Sequence, residues 1–166
     1  MAMLRALFPQ AIFMSKQKAV HIPVTIQSKT LTSDLEALID SGMTENFISP
    51  EVINHFSIPT QDLPNPRTIC NVDGTKNSIG EVIQIAYLRI YHQDKTNTYP
   101  FFIIDLGGDP ILLGMPFLAA YNPIINWTAS KFQGQITAYT SNFSPQKPTK
   151  RGQTSEFPCL LDDIHV

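Results

Sequence analysis

The sequence predicts an all-β fold, a small closed or partly closed β-barrel that carries one or two short helices. Short apolar runs rich in Val, Ile, Tyr and Phe alternate with turn-forming dipeptides, as in proteins built from many short strands. Only 16% of the residues are charged, below the usual value of about 25%, which disfavours a solvated helical bundle. A length of 166 residues gives room for one domain and too little for two lobes.

The predicted strands follow one another from residue 20 to residue 139. Val20, Ile22, Val24 and Ile26 recur at period two, which is typical of a strand with one buried face. Asp73-Gly74 lies between two apolar runs and predicts a hairpin turn. The remaining strand-like segments are residues 35–39, 68–70, 79–91, 99–104, 111–113, 124–127 and 132–139.

Two short helices are predicted between these strands. Ser49-Pro50-Glu51 supplies an N-cap, a proline at the first helical position and an acid in the first turn. This helix is expected to end before Pro59. Residues 115–121 are the second helix candidate.

The two ends of the chain differ from this body in composition. Residues 1–19 are predicted to be a leader or linker, because their apolar patch precedes Lys16 and Lys18, the reverse of a signal peptide. Residues 20–140 are predicted to form the domain, and residues 141–166 a polar, Pro-rich linker or tail. The longest nonpolar stretch, 110–121, is shorter than the ~20 residues that a membrane-spanning helix needs.

Charge and cysteine content exclude several classes of function. A formal net charge of −2 gives no basic footprint for nucleic acid or for an anionic membrane, so neither is expected as a partner. Two cysteines, Cys70 and Cys159, are too few for a disulfide-rich secreted domain and lack a zinc-binding spacing. We therefore expect a cytoplasmic location.

Asp40-Ser41-Gly42 is the segment best suited to chemistry. It directly follows the apolar pair Leu38-Ile39, so the triplet is predicted to leave the end of a buried strand as a turn. A second buried run, residues 111–113, ends at Gly114 just before the second helix candidate. An ordinary β-turn is the simpler interpretation of the triplet alone.

Three blocks in this order resemble the retropepsin-like aspartic proteases, most strongly those of Ty3/Gypsy long-terminal-repeat retrotransposons. The blocks are LIDSGMTENFIS at residues 38–49, NVDGT at 71–75 and ILLGMPFLAAYNPIINW at 111–127. Met43 stands where the family usually has a small alanine, and Asn126 stands where an aspartate is common. The resemblance implies a retropepsin-type barrel with a flap hairpin.

The resemblance also implies an aspartic endopeptidase that processes a Gag-Pol polyprotein. Two carboxylates that share one proton activate a water, with no metal or other cofactor. The chain has a single D-[ST]-G triplet, so the pair requires a homodimer in which each copy supplies Asp40. The implied site residues are catalytic Asp40; Ser41, Gly42 and Thr44 in the supporting loop; Val72, Asp73 and Gly74 in the substrate-binding flap; and Ile111, Leu112, Leu113 and Gly114 as structural neighbours.

Other interpretations remain open beside this one. A retropepsin fold without catalysis could serve as a dimerisation or peptide-binding module, which Met43 favours and the retained Asp40-Ser41 pair disfavours. A metal cluster of Asp34, Glu36 and Asp40 lacks an accompanying lysine or histidine pattern. Cys70, Trp127 and the pair Phe101-Phe102 are expected to be core residues rather than functional ones.

Overall fold

A computed structural model describes residues 19–70 and 74–140, with the side chains of residues 76–79 excepted. Ten strands and two short helices make up this part of the chain. In order they are β1 (His21–Gln27), β2 (Thr32–Ile39), β3 (Asn46–Ile48), α1 (Pro50–His55), β4 (Thr60–Cys70), β5 (Lys76–His92), β6 (Lys95–Ile103), β7 (Ile111–Leu113), α2 (Met115–Tyr121), β8 (Ile125–Asn126), β9 (Lys131–Phe132) and β10 (Ile136–Tyr139).

Seven of the strands close into a barrel, as the sequence predicts. Their order is β10-β1-β2-β7-β3-β6-β5, and β10 also pairs with β5, which completes the ring. β4 continues the sheet beyond β5 and forms its free edge. The pairs β1–β10, β2–β7 and β3–β6 are parallel, whereas β7 runs antiparallel to β3. The predicted all-β, closed-barrel class is therefore confirmed.

The local sequence signals account for the main elements. In β1 the side chains of Ile22, Val24 and Ile26 are fully buried, as period-two alternation requires. Helix α1 begins as predicted, with the Ser49 hydroxyl accepting a hydrogen bond from the Val52 N–H at 3.3 Å. Helix α2 ends at Asn122, which adopts a left-handed conformation with φ of 43°.

Buried side chains form two clusters. The larger one fills the barrel and includes residues from β1, β7, α2 and β10. The smaller one, called the second core below, joins residues of β3, β4, β5, β6 and β7 and the residue just after β6. Its buried members are Phe47, Ile69, Val82, Ile85, Phe102, Ile104 and Leu112.

The structure corrects one core prediction and refines the C-terminal strands. Phe101 and Phe102 are buried as expected, but Trp127 is 60% exposed. The cause is that β8 and β9 pair only with each other, so this hairpin lies outside the barrel. The strand predicted over residues 132–139 is interrupted at Gly134, where φ is 113°.

Neither described helix is long enough to cross a membrane.

Candidate active site

Asp40 lies where two parallel strands of the barrel end together. β2 and β7 pair with Ile39 opposite Leu113, and the Asp40 N–H donates a hydrogen bond to the Leu113 carbonyl at 3.1 Å. The chain then turns at Ser41 and Gly42, both of which are exposed, while Asp40 is half-buried. Residues 40–43 therefore present a carboxyl group at an accessible end of the barrel; they are called the catalytic turn below, after the role that the resemblance implies for Asp40.

Hydrogen bonds within the catalytic turn orient the Asp40 carboxylate. The Gly42 N–H donates to Asp40 Oδ1 at 2.9 Å, and the Met43 N–H donates to the Asp40 carbonyl at 3.3 Å. A Cβ atom at position 42 would lie 3.2 Å from the same Oδ1. Glycine at this position thus allows a backbone N–H to approach the carboxylate closely, as the resemblance implies.

Gly114 lies directly beneath the catalytic turn. Its N–H donates to Asn46 Oδ1 at 2.9 Å, and a Cβ atom there would lie 2.3 Å from the Glu45 carbonyl oxygen and 2.7 Å from that of Met43. The next residue, Met115, donates its N–H to the Met43 carbonyl at 2.9 Å. The start of α2 is therefore fixed to the underside of the turn.

Asn46 is a site residue that the sequence prediction missed. Its side chain is 1% exposed, and its Oδ1 is the acceptor for the Gly114 N–H. The sequence signal is weak: Asn46 is a polar residue directly before the apolar pair Phe47-Ile48, and only the structure shows that all three are buried. A polar side chain in a fully buried strand needs hydrogen-bonding partners; here Oδ1 has one, the Gly114 N–H, whereas Nδ2 has none among the described residues.

Replacing Asn46 by alanine is expected to lower the free energy of unfolding by about 2 kcal/mol. The substitution leaves the buried Gly114 N–H without its acceptor, and the desolvation cost of that group is then uncompensated. Urea denaturation would measure the loss. Ser49→Ala, which removes only the helix N-cap, should cost about 1 kcal/mol, and a larger loss for this control than for Asn46→Ala would contradict the assignment.

The other predicted site residues are only partly brought together. Ile111, Leu112 and Leu113 form β7, are buried and pair with the last residues of β2 before Asp40. Thr44 is half-buried just after the catalytic turn. Gly74 lies at the predicted flap tip with φ of 79°, whereas Val72 and Asp73 lie outside the described residues. The hairpin itself is confirmed, because β4 pairs with β5 up to Cys70 opposite Lys76.

The side chain of Met43 lies against the protein and not in solvent. It is half-buried and packs against the second core. The residue that departs from the family's small alanine is therefore accommodated by apolar neighbours beside the turn.

Glu45, just after the catalytic turn, has a carboxyl group whose pKa is shifted by its surroundings. Burial raises the pKa of its carboxyl above 4.5, and the positive charge of Arg67 only partly offsets this effect. The closest approach between Arg67 Nη1 and Glu45 Oε1 is 3.9 Å. Because the folded state binds the proton more tightly than the unfolded state does, protonation of Glu45 stabilises the fold.

Lowering the pH should therefore increase the free energy of unfolding of the wild type relative to that of a Glu45→Gln variant. The contribution of Glu45 to the free energy of unfolding is fully present below about pH 4.5 and is lost as pH rises through the raised pKa. Urea denaturation of both proteins between pH 4 and pH 7 measures it. As pH falls, the free energy of unfolding of the wild type should rise relative to that of the variant. A fall in this difference would contradict the burial of the Glu45 charge.

The carboxylate-metal hypothesis finds no geometric support. Asp34 Oδ1 accepts a hydrogen bond from the Thr25 hydroxyl at 2.6 Å. Within residues 19–70 and 74–140, no three His, Cys, Asp or Glu side chains are grouped so that they could hold a metal ion. Cys70 is 5% exposed, in agreement with the expected core role.

One known protein family matches a range of this chain that includes most of the barrel. The family model of the PEG10/RTL1 protease domain matches residues 36–142. The matched range includes the catalytic turn, the β4–β5 hairpin and Gly114, and it begins within β2.

Proposed function

The chain belongs to the PEG10/RTL1 protease domain family, a group of retropepsin-like domains derived from Ty3/Gypsy elements, and from this premise we propose that it is an aspartic endopeptidase. The proposed reaction is hydrolysis of peptide bonds by a water that two Asp40 carboxylates activate. Each carboxylate comes from one copy of a homodimer. The observation that carries the proposal is the accessible Asp40 carboxyl on a turn whose own backbone orients it.

The chemistry requires a second carboxyl group that one chain does not supply. In a pair at ~3 Å, one carboxylate is ionised and the other keeps the shared proton. The ionised group accepts a proton from water as its oxygen attacks the peptide carbonyl carbon, and the protonated group hydrogen-bonds to the carbonyl oxygen. The tetrahedral intermediate collapses when the leaving nitrogen receives a proton. A two-fold axis beside the exposed Ser41 and Gly42 would bring both turns together.

An extended polyprotein segment is the proposed substrate. Such a chain would lie between the barrel and the β4–β5 hairpin, pairing through main-chain hydrogen bonds while alternate side chains enter apolar pockets. The family's derivation supports processing of a retrotransposon Gag-Pol polyprotein. We propose that this takes place in the cytoplasm, within virus-like particles where the domain is part of the polyprotein.

A mixing experiment tests the shared site. Wild type is combined with an equal amount of an Asp40→Asn variant at fixed total protein, and cleavage of a Gag-derived peptide is followed. Random pairing leaves about a quarter of the dimers with two intact carboxyls, so activity should fall to about a quarter of that of wild type alone. A monomeric enzyme would keep about half, which would refute the homodimer mechanism.

Sedimentation in parallel separates loss of pairing from loss of chemistry. Activity per chain should fall on dilution at the concentration where the dimer dissociates.

The catalytically inactive module is the competing function, and its signature is a dimer that binds the peptide without cleaving it. The packing of Met43 against the second core supports the active enzyme, because that side chain is accommodated beside the turn.

A further inference from the structure

Exposed apolar side chains are concentrated on one short segment, residues 115–127. Five large apolar side chains are exposed in the described part of the chain, and three of them lie on this segment: Met115 at 43%, Ile124 at 57% and Trp127 at 60%. The same segment sends Phe117 and Tyr121 into the barrel core, so the exposed three are not needed there. Single exposed apolar residues are ordinary, but three on one segment indicate a contact surface.

The segment begins at the end of the barrel that carries the catalytic turn. Helix α2 starts there, because the Met115 N–H donates to the Met43 carbonyl at 2.9 Å. The helix has seven residues and is therefore about 10 Å long, at about 1.5 Å per residue. Ile124 and Trp127 follow it within a few residues, in the β8–β9 hairpin and the turn that leads into it.

Strand pairing independently places the β8–β9 hairpin at this end. β9 contacts β1, and β10 pairs with β1 so that Ile136 lies opposite Val24. The residues just before β10 therefore lie beside the start of β1. That start pairs with the end of β2, where His21 lies opposite Leu38, two residues before Asp40. The hairpin and the catalytic turn thus share one end of the barrel.

The charge of the segment suits a second copy of the same chain. Between residues 115 and 133 the one charged residue is Lys131. Two identical surfaces of this kind meet without strong repulsion between like charges. The centres of protein interfaces are poor in charged residues and rich in aromatic residues and Met, as this segment is. A nucleic acid or an anionic membrane would instead require a cluster of basic residues.

The area of a stable dimer also extends beyond the catalytic turn. A specific interface buries about 800 Å² on each partner and uses about 20–30 residues a side. The catalytic turn, residues 40–43, supplies a small part of that number. An area of about 800 Å² is a disc of about 16 Å radius, so an interface centred on the turn reaches past the 10 Å length of α2.

We propose that Met115, Ile124 and Trp127 form the apolar contact that holds two copies of this chain together, with the two-fold axis beside their catalytic turns. Trp127 is the expected anchor, because a few buried aromatic side chains carry most of the binding energy in many interfaces. The contact is separate from the pair of Asp40 carboxyls. The need for a second copy rests on the proposed function, but the test of the contact requires no peptidase activity.

Fluorescence of the full chain reports on this contact directly, since Trp127 is the one tryptophan in the sequence. Emission and acrylamide quenching are recorded over a dilution series, with sedimentation in parallel. As the dimer forms, the emission maximum should move to shorter wavelength and quenching should decrease, because the indole leaves water. A dimer in which Trp127 is as accessible to acrylamide as in the monomer would overturn the proposal.

Substitutions test the energy of the contact. Trp127→Ser should raise the dissociation constant of the dimer about 30-fold, the loss typical of an interface hot spot. Ile124→Ser should raise it about five- to ten-fold. The matched control is Ile83→Ser, because Ile83 lies on β5 and is 58% exposed, against 57% for Ile124. The control should change the dissociation constant less than about two-fold, and equal effects of the two isoleucine substitutions would contradict the assignment.

The outcomes separate this contact from the proposed chemistry. Asp40→Asn should dimerise as the wild type does. A dimer that Trp127→Ser weakens but that cleaves no peptide refutes the proposed function alone. A cleaving dimer that Trp127→Ser leaves intact refutes the contact alone. A wild type that stays monomeric throughout the series, or Trp127 emission that shifts with phosphatidylserine vesicles and not with protein concentration, would refute the contact as well.

Discussion

Asp40→Asn is expected to lower kcat for peptide hydrolysis by about 10²- to 10⁴-fold while leaving the barrel folded. The amide cannot accept the proton of the attacking water, and general acid–base catalysis contributes 10²- to 10⁴-fold in enzymes. The Gly42 N–H can still donate to the remaining side-chain oxygen, so the turn should keep its shape. Cleavage of a Gag-derived peptide by purified wild type and variant measures the effect.

Asp34→Asn provides the matched control for this measurement. Asp34 lies on β2, the strand that leads into the catalytic turn, and accepts a hydrogen bond from Thr25, but it has no place in the proposed mechanism. Its substitution should leave kcat within about two-fold of wild type. Equal activities of wild type and Asp40→Asn would refute the catalytic assignment and leave the dimerisation or peptide-binding module as the better account.

Gly114→Ala is expected to lower the free energy of unfolding by about 3 kcal/mol or more. The added methyl group would meet two backbone carbonyl oxygens, those of Glu45 and Met43, neither of which can move away as a flexible side-chain end could. Relief of the clash requires the catalytic turn to separate from the start of α2. Urea denaturation would report the loss of stability, and peptide cleavage should be lost with it.

Gly107→Ala separates a steric clash from backbone strain. Gly107 has φ of 65°, and a Cβ atom there would have no neighbour within 4 Å. This variant should therefore lose only about 1 kcal/mol, the cost of a left-handed conformation in a residue other than glycine. Similar losses for the two variants would contradict the close contact beneath the turn.

The sequence predicts the parts of this fold that depend on local signals. The alternation in β1, the cap at Ser49 and the hairpin at Gly74 each follow from residues close together in the chain. The apolar pair before Asp40 likewise indicates where the buried strand ends and the turn begins. These signals suffice to place the candidate aspartate at the end of a strand.

Features that depend on distant pairing are less visible in the sequence. β4 begins at Thr60, eight residues before its predicted start. Pro64 and Pro66 disfavour a strand in the sequence, but an edge strand tolerates proline. Trp127 is exposed because β8 has no partner in the barrel. The contact of Asn46 with Gly114 joins residues 68 positions apart, which no local pattern reveals.

The closure of the barrel by its last strand has a consequence for synthesis. β10 lies between β1 and β5, with Val24 opposite Ile136 and Thr137 opposite Tyr91. Until residues 136–139 have left the ribosome, β1 and β5 each retain an unpaired edge, the arrangement most prone to association with other chains. The barrel can therefore close only after its last strand has emerged, and the turn that carries Asp40 belongs to a complete barrel only from that point.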